Sequence, residues 1–517
     1  MNSLPWLTIL TLIPLLGGLL VVALHPNQIR LARNLSLAAA LLALAVAALL
    51  WTRFDASSGG MQFAERMPWV PSLGIEYRLG VDGLGLLMVL LSALIIPFAM
   101  LASWNIQQNT KLYFSLLLFL ETGLFGAFTA LNFIHWFIFW ELSLVPAFFL
   151  IKIWGGPRRT AAAYQFFVYT LAGSVTMLLA FLAMYAAVGT FDFAALSESA
   201  RSGALATALF AKLGGVLFPT KSILVTAIFL GVFLGFAVKV PLIPFHTWLP
   251  AAYAEAPAGT SMVLTGAMSK MGVYGFLRVL LPIFPAQLRA LQLPLLCLAV
   301  ATIVFSAAAA FAQKDLKRLV AYSSINHLGY CLLGIFAAVQ LTGATALWTN
   351  EKAAALNGVM LQMFNHGLCA SALFYFLGLI EQRGGGLRGL NDFGGLRKAA
   401  PVLCGLMGVT LFASLGLPGL NGFVGEFLIF KGVFSLVSWA AALSTLGLLF
   451  TAIFILTLVQ RVFTGALPNQ WRDWTDLTLA QRLTVAPVIA LIFLLGVFPQ
   501  ILIHVTNPAA LQIIKLF

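Results

Sequence analysis

Runs of about twenty apolar residues, separated by short polar joints, recur from one end of this chain to the other. A run of that length crosses the hydrocarbon core of a bilayer as a helix, and in lipid each backbone N–H and C=O must find its partner inside the protein. The pattern leaves a bundle of membrane-spanning helices as the fold: an all-α, polytopic membrane protein. Of 517 residues, 61% are hydrophobic and 9% charged, which agrees. Hydropathy places about fourteen spans, near residues 4–24, 34–51, 81–103, 111–131, 133–152, 162–188, 221–257, 259–282, 291–311, 319–340, 355–380, 400–436, 438–464 and 484–505. The first has no basic leader and is long, so it reads as a retained helix and not a cleaved signal.

The net charge of +13 does not imply nucleic acid as a partner, because the basic residues sit in short joints between spans. Joints after odd-numbered spans hold His25–Arg33, Lys111, Lys152 with Arg158 and Arg159, Lys314 with Lys317 and Arg318, and Arg383 through Lys398; joints after even-numbered spans are near neutral. The positive-inside rule then puts both termini on the outer, periplasmic or lumenal, side. The joint around Glu255 is an exception, with no basic residue of its own. Cys297, Cys331, Cys369 and Cys404 all fall in apolar spans without a Cys-x-x-Cys pair, so no disulfide framework, zinc site or iron–sulfur cluster is implied.

Two spans are too long for one plain helix. The seventh contains GVFLGFAVKVPLIPFHTWLPAAYAEAP (Gly231–Pro257), with Lys239 deep in an apolar run and Pro241 and Pro244 directly after it. A charge at membrane depth is costly and faces protein or water, and backbone freed by proline is tolerated there only beside protein or a wet cavity. Such breaks build ion sites in many transporters. A snorkelling lysine on a kinked helix is the competing explanation. Five spans later LGLPGLNGFVGEF (Leu415–Phe427) breaks the twelfth. An odd offset inverts the second unit, so the expected organisation is flanking helices 1–3 (1–110), a first five-helix repeat (111–282), a second, inverted one (283–464) and a flanking helix (465–517).

Ionisable residues inside spans are few. Glu141 in FIFWELSLVP has Lys239 as its natural partner if the fifth and seventh helices touch. Lys270 lies among small residues that allow close helix approach, where isolation favours proton release. His327 and His366 need little perturbation to pass protons, and Ser323, Ser324 and Asn365 are placed to hold water beside them. Glu426 follows the break in the twelfth span. For each the plainer alternative is a hydrogen-bonded core residue. Glu121 and His135 are weaker candidates, while His25 and His504 read as interfacial. Taken together, the six form a polar line along which protons can hop. No P-loop, Rossmann fingerprint, haem or flavin motif supplies an energy source, and GGGLRGLNDFGG (Gly384–Gly395) reads as a loop in a basic joint.

Five stretches carry a resemblance: WELSLVP (Trp140–Pro146), PFHTWLP after the lysine (Pro244–Pro250), SKMGVYGFLR (Ser269–Arg278), DLKRLVAYSSINHLGY (Asp315–Tyr330) and LPGLNGFVGEF (Leu417–Phe427). As a set, covering about residues 80 to 465, they resemble the antiporter-like proton-pumping subunits of respiratory complex I, and length and the Glu426 ending resemble the NuoM/NdhD (chain 4) type. The resemblance implies fourteen helices in two inverted five-helix repeats with helices 7 and 12 broken, and a proton path on Glu141, Lys239, Lys270, His327, His366 and Glu426. It implies membrane-arm partners of the NuoN/NdhB and NuoL/NdhF kinds and bound lipids, with no cofactor in this chain: quinone, iron–sulfur clusters and NAD(P)H or ferredoxin belong to partner subunits. The family commonly has an acid and then a histidine after the WLP; here Ala251 and Tyr253 stand there. That departure is similar to the cyanobacterial NDH-1 variant for carbon dioxide uptake, which implies plastoquinone, a carbon-dioxide-hydrating partner and a thylakoid membrane; otherwise the bacterial inner membrane is expected. An Mrp-type cation/proton antiporter subunit, a membrane-hydrogenase subunit and a non-pumping structural subunit are the alternatives.

Overall fold

The computed structural model describes residues 4–343 and 345–516. Among the described residues, twelve helices are long and apolar enough to cross a membrane. Two further apolar segments, 258–283 and 401–436, are built from shorter helical pieces end to end. Leu316–Ala338 and Ala346–Arg383 are 94% buried along their most apolar stretch and form the core; Trp6–Ala23, Arg159–Val188 and Leu479–Val497 turn most of their surface outward. In lipid the outer face is as apolar as the core, so a ring of outward leucine and phenylalanine is the expected surface, not a fault.

Both expected breaks are present, and their freed backbone is satisfied within the protein. Helix Lys221–Lys239 stops at its lysine, and helix Trp248–Glu255 resumes beyond the prolines. Across the gap Leu242 N donates to Ala237 O at 2.8 Å, the Trp248 indole N–H donates to Val238 O at 3.0 Å, and Ile243 N donates to Thr302 Oγ1 at 3.1 Å. The twelfth span ends its first half, Pro401–Leu415, at Gly416 with φ +83°. A side chain is strained at that angle, so glycine is required there. Leu417 N then closes on Phe412 O at 3.0 Å, and Asn421–Leu436 continues. Packing partners recur five spans on: Thr110–Thr129 lies along Phe133–Trp154 as Gln292–Phe311 lies along Leu316–Ala338, and Arg159–Val188 lies along Lys221–Lys239 as Ala346–Arg383 lies along Asn421–Leu436.

Three elements depart from the sequence reading. The joint after the second span holds an antiparallel hairpin, Gln62–Val70 with Ile75–Val81, in an otherwise helical chain. Glu65 of that hairpin accepts Leu7 N at 2.7 Å and the Thr8 hydroxyl, capping the first helix. The joint after the sixth span folds into two short helices, Phe193–Arg201 and Ala204–Leu213. The C-terminal stretch 465–517 holds two helices and not one, Leu479–Val497 and Gln500–Ile514. The last of these is seated against Gly83, where any Cβ would lie 2.0 Å from Val505 O. Hydropathy detects only what must be dissolved in lipid, and these elements lie in joints or at the edge.

The odd joint at Glu255 is also explained. Its counter-charges come from other joints: Arg388 bonds Glu255 Oε1 at 2.6 Å, Asp315 at 2.7 Å and the Ala254 carbonyl at 2.7 Å, while Lys317 bonds Glu381 at 2.5 Å. Arg158 N donates to the second Glu255 oxygen at 2.9 Å. The glycine-rich loop thus clamps the end of the broken seventh span onto the tenth and eleventh. Breaking a buried pair by removing one partner costs about 3–5 kcal/mol, less where water reaches it. Arg388→Ala is expected to cost about 3 kcal/mol and to lower the unfolding temperature of the detergent-extracted protein; an unchanged melting curve contradicts the clamp.

Candidate functional site

The six residues expected on the proton path fall into two clusters. In the first, Lys239 is 3% exposed, and its Nζ has no hydrogen-bond partner among the described residues. It sits 4.9 Å from the centre of the Trp140 ring. An indole face attracts a desolvated ammonium ion, and the ring is fixed by its N–H donating to Ser174 Oγ at 3.0 Å. Glu141, the next residue, lies within electrostatic reach of Lys239. The expected contact pair between them is not formed among the described residues: Trp140 occupies the place next to the ammonium, and Glu141 Oε1 is left without a partner.

In the second cluster four residues are in direct contact. Lys270, fully buried, donates to His366 Nδ1 at 2.8 Å and to the Thr265 carbonyl. The His366 and His327 rings lie 5.1 Å apart, centre to centre. His327 Nδ1 meets Glu426 Oε1 at 2.8 Å, and its Nε2 meets Ser414 Oγ at 3.1 Å. Gln362 Nε2 donates to the same Glu426 oxygen at 3.0 Å. An ammonium has only donors and an ionised carboxylate only acceptors, which orders the hydrogens. With Lys270 an ammonium and Glu426 a carboxylate, His366 accepts at Nδ1, and His327 donates from Nδ1 and accepts the Ser414 hydroxyl at Nε2. A cavity of about 10 Å³ lies between His327, Gln362, His366, Ser414 and Glu426. That is near the least space a single water occupies.

Backbone proximity makes this cluster possible. Segment 258–283 crosses helix Ala346–Arg383 at Gly266 and Gly367, where a Cβ on Gly367 would lie 2.7 Å from Gly266 O. Two glycines let the helices touch, so Lys270 reaches His366 one turn further along. A wide five-residue turn, Leu264–Met268, is separated from Lys270 only by Ser269. Such π turns are frequent at functional sites. Gly367→Ala is expected to push the helices apart by a few tenths of an ångström, to cost about 1–3 kcal/mol from overpacking, and to lengthen the Lys270–His366 contact. A proton-uptake rate equal to wild type in the assembled complex would count against that contact mattering.

Lys239 has no hydrogen-bonded link to anything, so no bonded chain joins the first cluster to Lys270 among the described residues. Glu121 is fully buried, and neither carboxylate oxygen has a partner among the described residues. His135 is wedged against Tyr77 of the hairpin, ring centres 4.7 Å apart, and also meets Trp69. Gln362, Ser414, Trp140 and Thr265 belong to the site and were not picked out from the sequence. Gln362 carried one usable signal: it stands four residues before His366, on the same helix face. No group of three or more His, Cys, Asp or Glu that could hold a metal occurs among the described residues.

Comparison with known proteins bears on this arrangement. Residues 130–453 match the family described as NADH:quinone oxidoreductase/Mrp antiporter, transmembrane. The chain is 36% identical over 516 residues to NADH-quinone oxidoreductase subunit M of Rhodobacter capsulatus, covering 98% of this chain and 96% of that one. It is also 36% identical over 511 residues to an NAD(P)H-quinone oxidoreductase chain 4 of Thermosynechococcus vestitus, covering 96% and 89%. Among solved structures it superimposes on a chain of respiratory complex I from Thermus thermophilus with bound NADH, with a TM-score of 0.83, 29% identity and 99% of each chain covered. With most of its length matched at this level, the chain belongs to the NADH:quinone oxidoreductase/Mrp antiporter family of transmembrane subunits.

Proposed function

We propose that this chain is a proton-translocating membrane-arm subunit of an NADH-linked quinone oxidoreductase, with Glu141, Lys239, Lys270, His366, His327 and Glu426 as its proton path. The observation that carries the reading is the buried, contiguous line Lys270–His366–His327–Glu426. A lysine and a carboxylate at its ends, with imidazoles between, is an array that takes up a proton at one end and releases it at the other. Lys239 over Trp140 stands apart, so coupling from it acts through space: its ammonium stabilises Glu141 or repels the Lys270 charge according to its own protonation. Moving one charge across about 100 mV costs roughly 2.3 kcal/mol, within what one buried charge pair supplies.

The recurrent packing supports two inverted units, 111–282 and 283–464, between flanking helices. The names of the relatives support neighbours from the same membrane arm, with quinone, iron–sulfur clusters and nicotinamide or ferredoxin handled elsewhere. The charge asymmetry of the joints supports both termini facing outward, and the bacterial relatives favour the bacterial inner membrane. A thylakoid location and a carbon-dioxide-hydrating partner rest on Ala251 and Tyr253 alone. The family description also names Mrp antiporters, so an antiporter subunit is the second reading.

The deciding experiment is proton uptake by vesicles holding the intact complex, wild type against Lys239→Met, with assembly followed by native gel. Loss of uptake in an assembled complex supports the pump. Full uptake makes the lysine structural and moves the scaffold reading to first place. Co-purifying redox subunits separate the oxidoreductase from the antiporter.

A further inference from the structure

The half-helix after the seventh-span break carries a buried hydroxyl that the proton path does not use. Tyr253 is 1% exposed, its ring lying edge-on to Trp248 and Phe374, and its phenol donates to the Leu264 carbonyl at 2.9 Å. Leu264 opens the wide turn before Lys270 and already accepts its Ser269 N–H at 3.1 Å. In a π turn consecutive carbonyls tilt out of the helix axis and take extra donors. Here two neighbours do so: Leu264 O takes Tyr253, and Thr265 O takes the Lys270 ammonium together with Ser269 Oγ, the latter at 2.9 Å. Ser269 Oγ also stands 3.4 Å from Lys270 Nζ. Behind the tyrosine, Ser261 Oγ donates to Tyr253 O at 2.8 Å, closing the loop between half-helix and turn. The tyrosine is therefore tied to the carbonyl next to the one that holds the lysine.

We infer that Tyr253 is a positioning residue for Lys270: its phenol holds the 264–268 turn open so that the ammonium points at His366. The inference rests on the proton-path reading and adds that this hydroxyl couples the half-helix after the seventh-span break to the turn that holds Lys270. It also gives Tyr253 a role of its own where a histidine was expected. Phenylalanine keeps the ring and its packing and removes only the donor. His366, Cys331 and Cys369 are the other titratable groups that face Lys270, and none of them is touched by that change.

The test uses vesicles with the intact complex and three variants: Tyr253→Phe, Ser269→Ala and Lys270→Met. Tyr253→Phe is expected to assemble, to lower proton uptake by roughly three- to tenfold, the worth of one buried hydrogen bond, and to shift the pH profile of uptake. Ser269→Ala is expected to shift the same profile, and it decides the matter should Tyr253→Phe fail to assemble. A merely structural tyrosine changes complex yield and leaves the profile where it is. Wild-type uptake and profile in the assembled tyrosine or serine variant, while Lys270→Met is inactive, overturns the inference and leaves the path intact. An active Lys270→Met removes the path itself, and the inference with it.

Discussion

Lys270→Met is expected to abolish proton uptake, by at least about tenfold, in a complex that still assembles. The two halves of that expectation have separate grounds. Methionine nearly matches lysine in length, so packing is kept, and the burden of holding a charge in a dry site disappears. Against this, Thr265 O and His366 Nδ1 lose their donor, each at about 1–3 kcal/mol if left unsatisfied. The terms are similar in size and opposite in sign, so native gels are expected to show the intact complex. Function has no such compensation, because a thioether carries no proton. Lys270→Arg sharpens the test. It keeps the charge but not the proton exchange, since a guanidinium stays protonated in proteins. A pump that needs only a fixed positive charge survives the arginine; one that needs a proton to leave and return does not. Near-normal uptake in either variant refutes a path through this residue.

The division between what was legible in the sequence and what was not follows the physics of the bilayer. A lysine amid twenty apolar residues is conspicuous because charge is scarce there, so Lys239, Lys270, Glu141 and Glu426 stand out without any structure. Proline and glycine mark the breaks for the same reason: at membrane depth a helix interruption needs a cause. Contacts are less visible. Nothing in the spacing tells that Trp140, and not Glu141, meets the Lys239 ammonium, because a single residue of helix rotation decides it. The adjacency of Lys270 and His366 depends on Gly266 and Gly367 facing each other across helices about a hundred residues apart in sequence. Gln362 and Ser414 are ordinary polar residues until His327 and Glu426 are placed beside them. The hairpin at Gln62–Val81 escaped because it lies in a joint between spans, where hydropathy carries no signal.

Glu426→Gln and Glu426→Ala are expected to fail in different ways, and the difference measures what the carboxylate does. One Glu426 oxygen receives His327 Nδ1 and Gln362 Nε2 together. The amide of glutamine has the same shape and retains one acceptor oxygen, so both donors still have a partner and assembly is expected to persist. Its oxygen cannot be protonated near neutral pH, so the end of the line no longer takes up or sheds a proton, and uptake is expected to fall by at least about tenfold, as when a positioned general acid or base is removed. Alanine instead deletes the acceptor and leaves the His327 and Gln362 donors facing a dry cavity enlarged by the lost side chain. Each neutral donor left unsatisfied costs about 1–3 kcal/mol, so this variant is expected to assemble poorly as well. Should glutamine pump normally, Glu426 is an anchor for His327 and not a proton carrier, and the line ends at the imidazole. Should alanine assemble as well as wild type, the His327–Glu426 contact contributes little to the fold, and the cavity beside it takes in enough water to satisfy both donors.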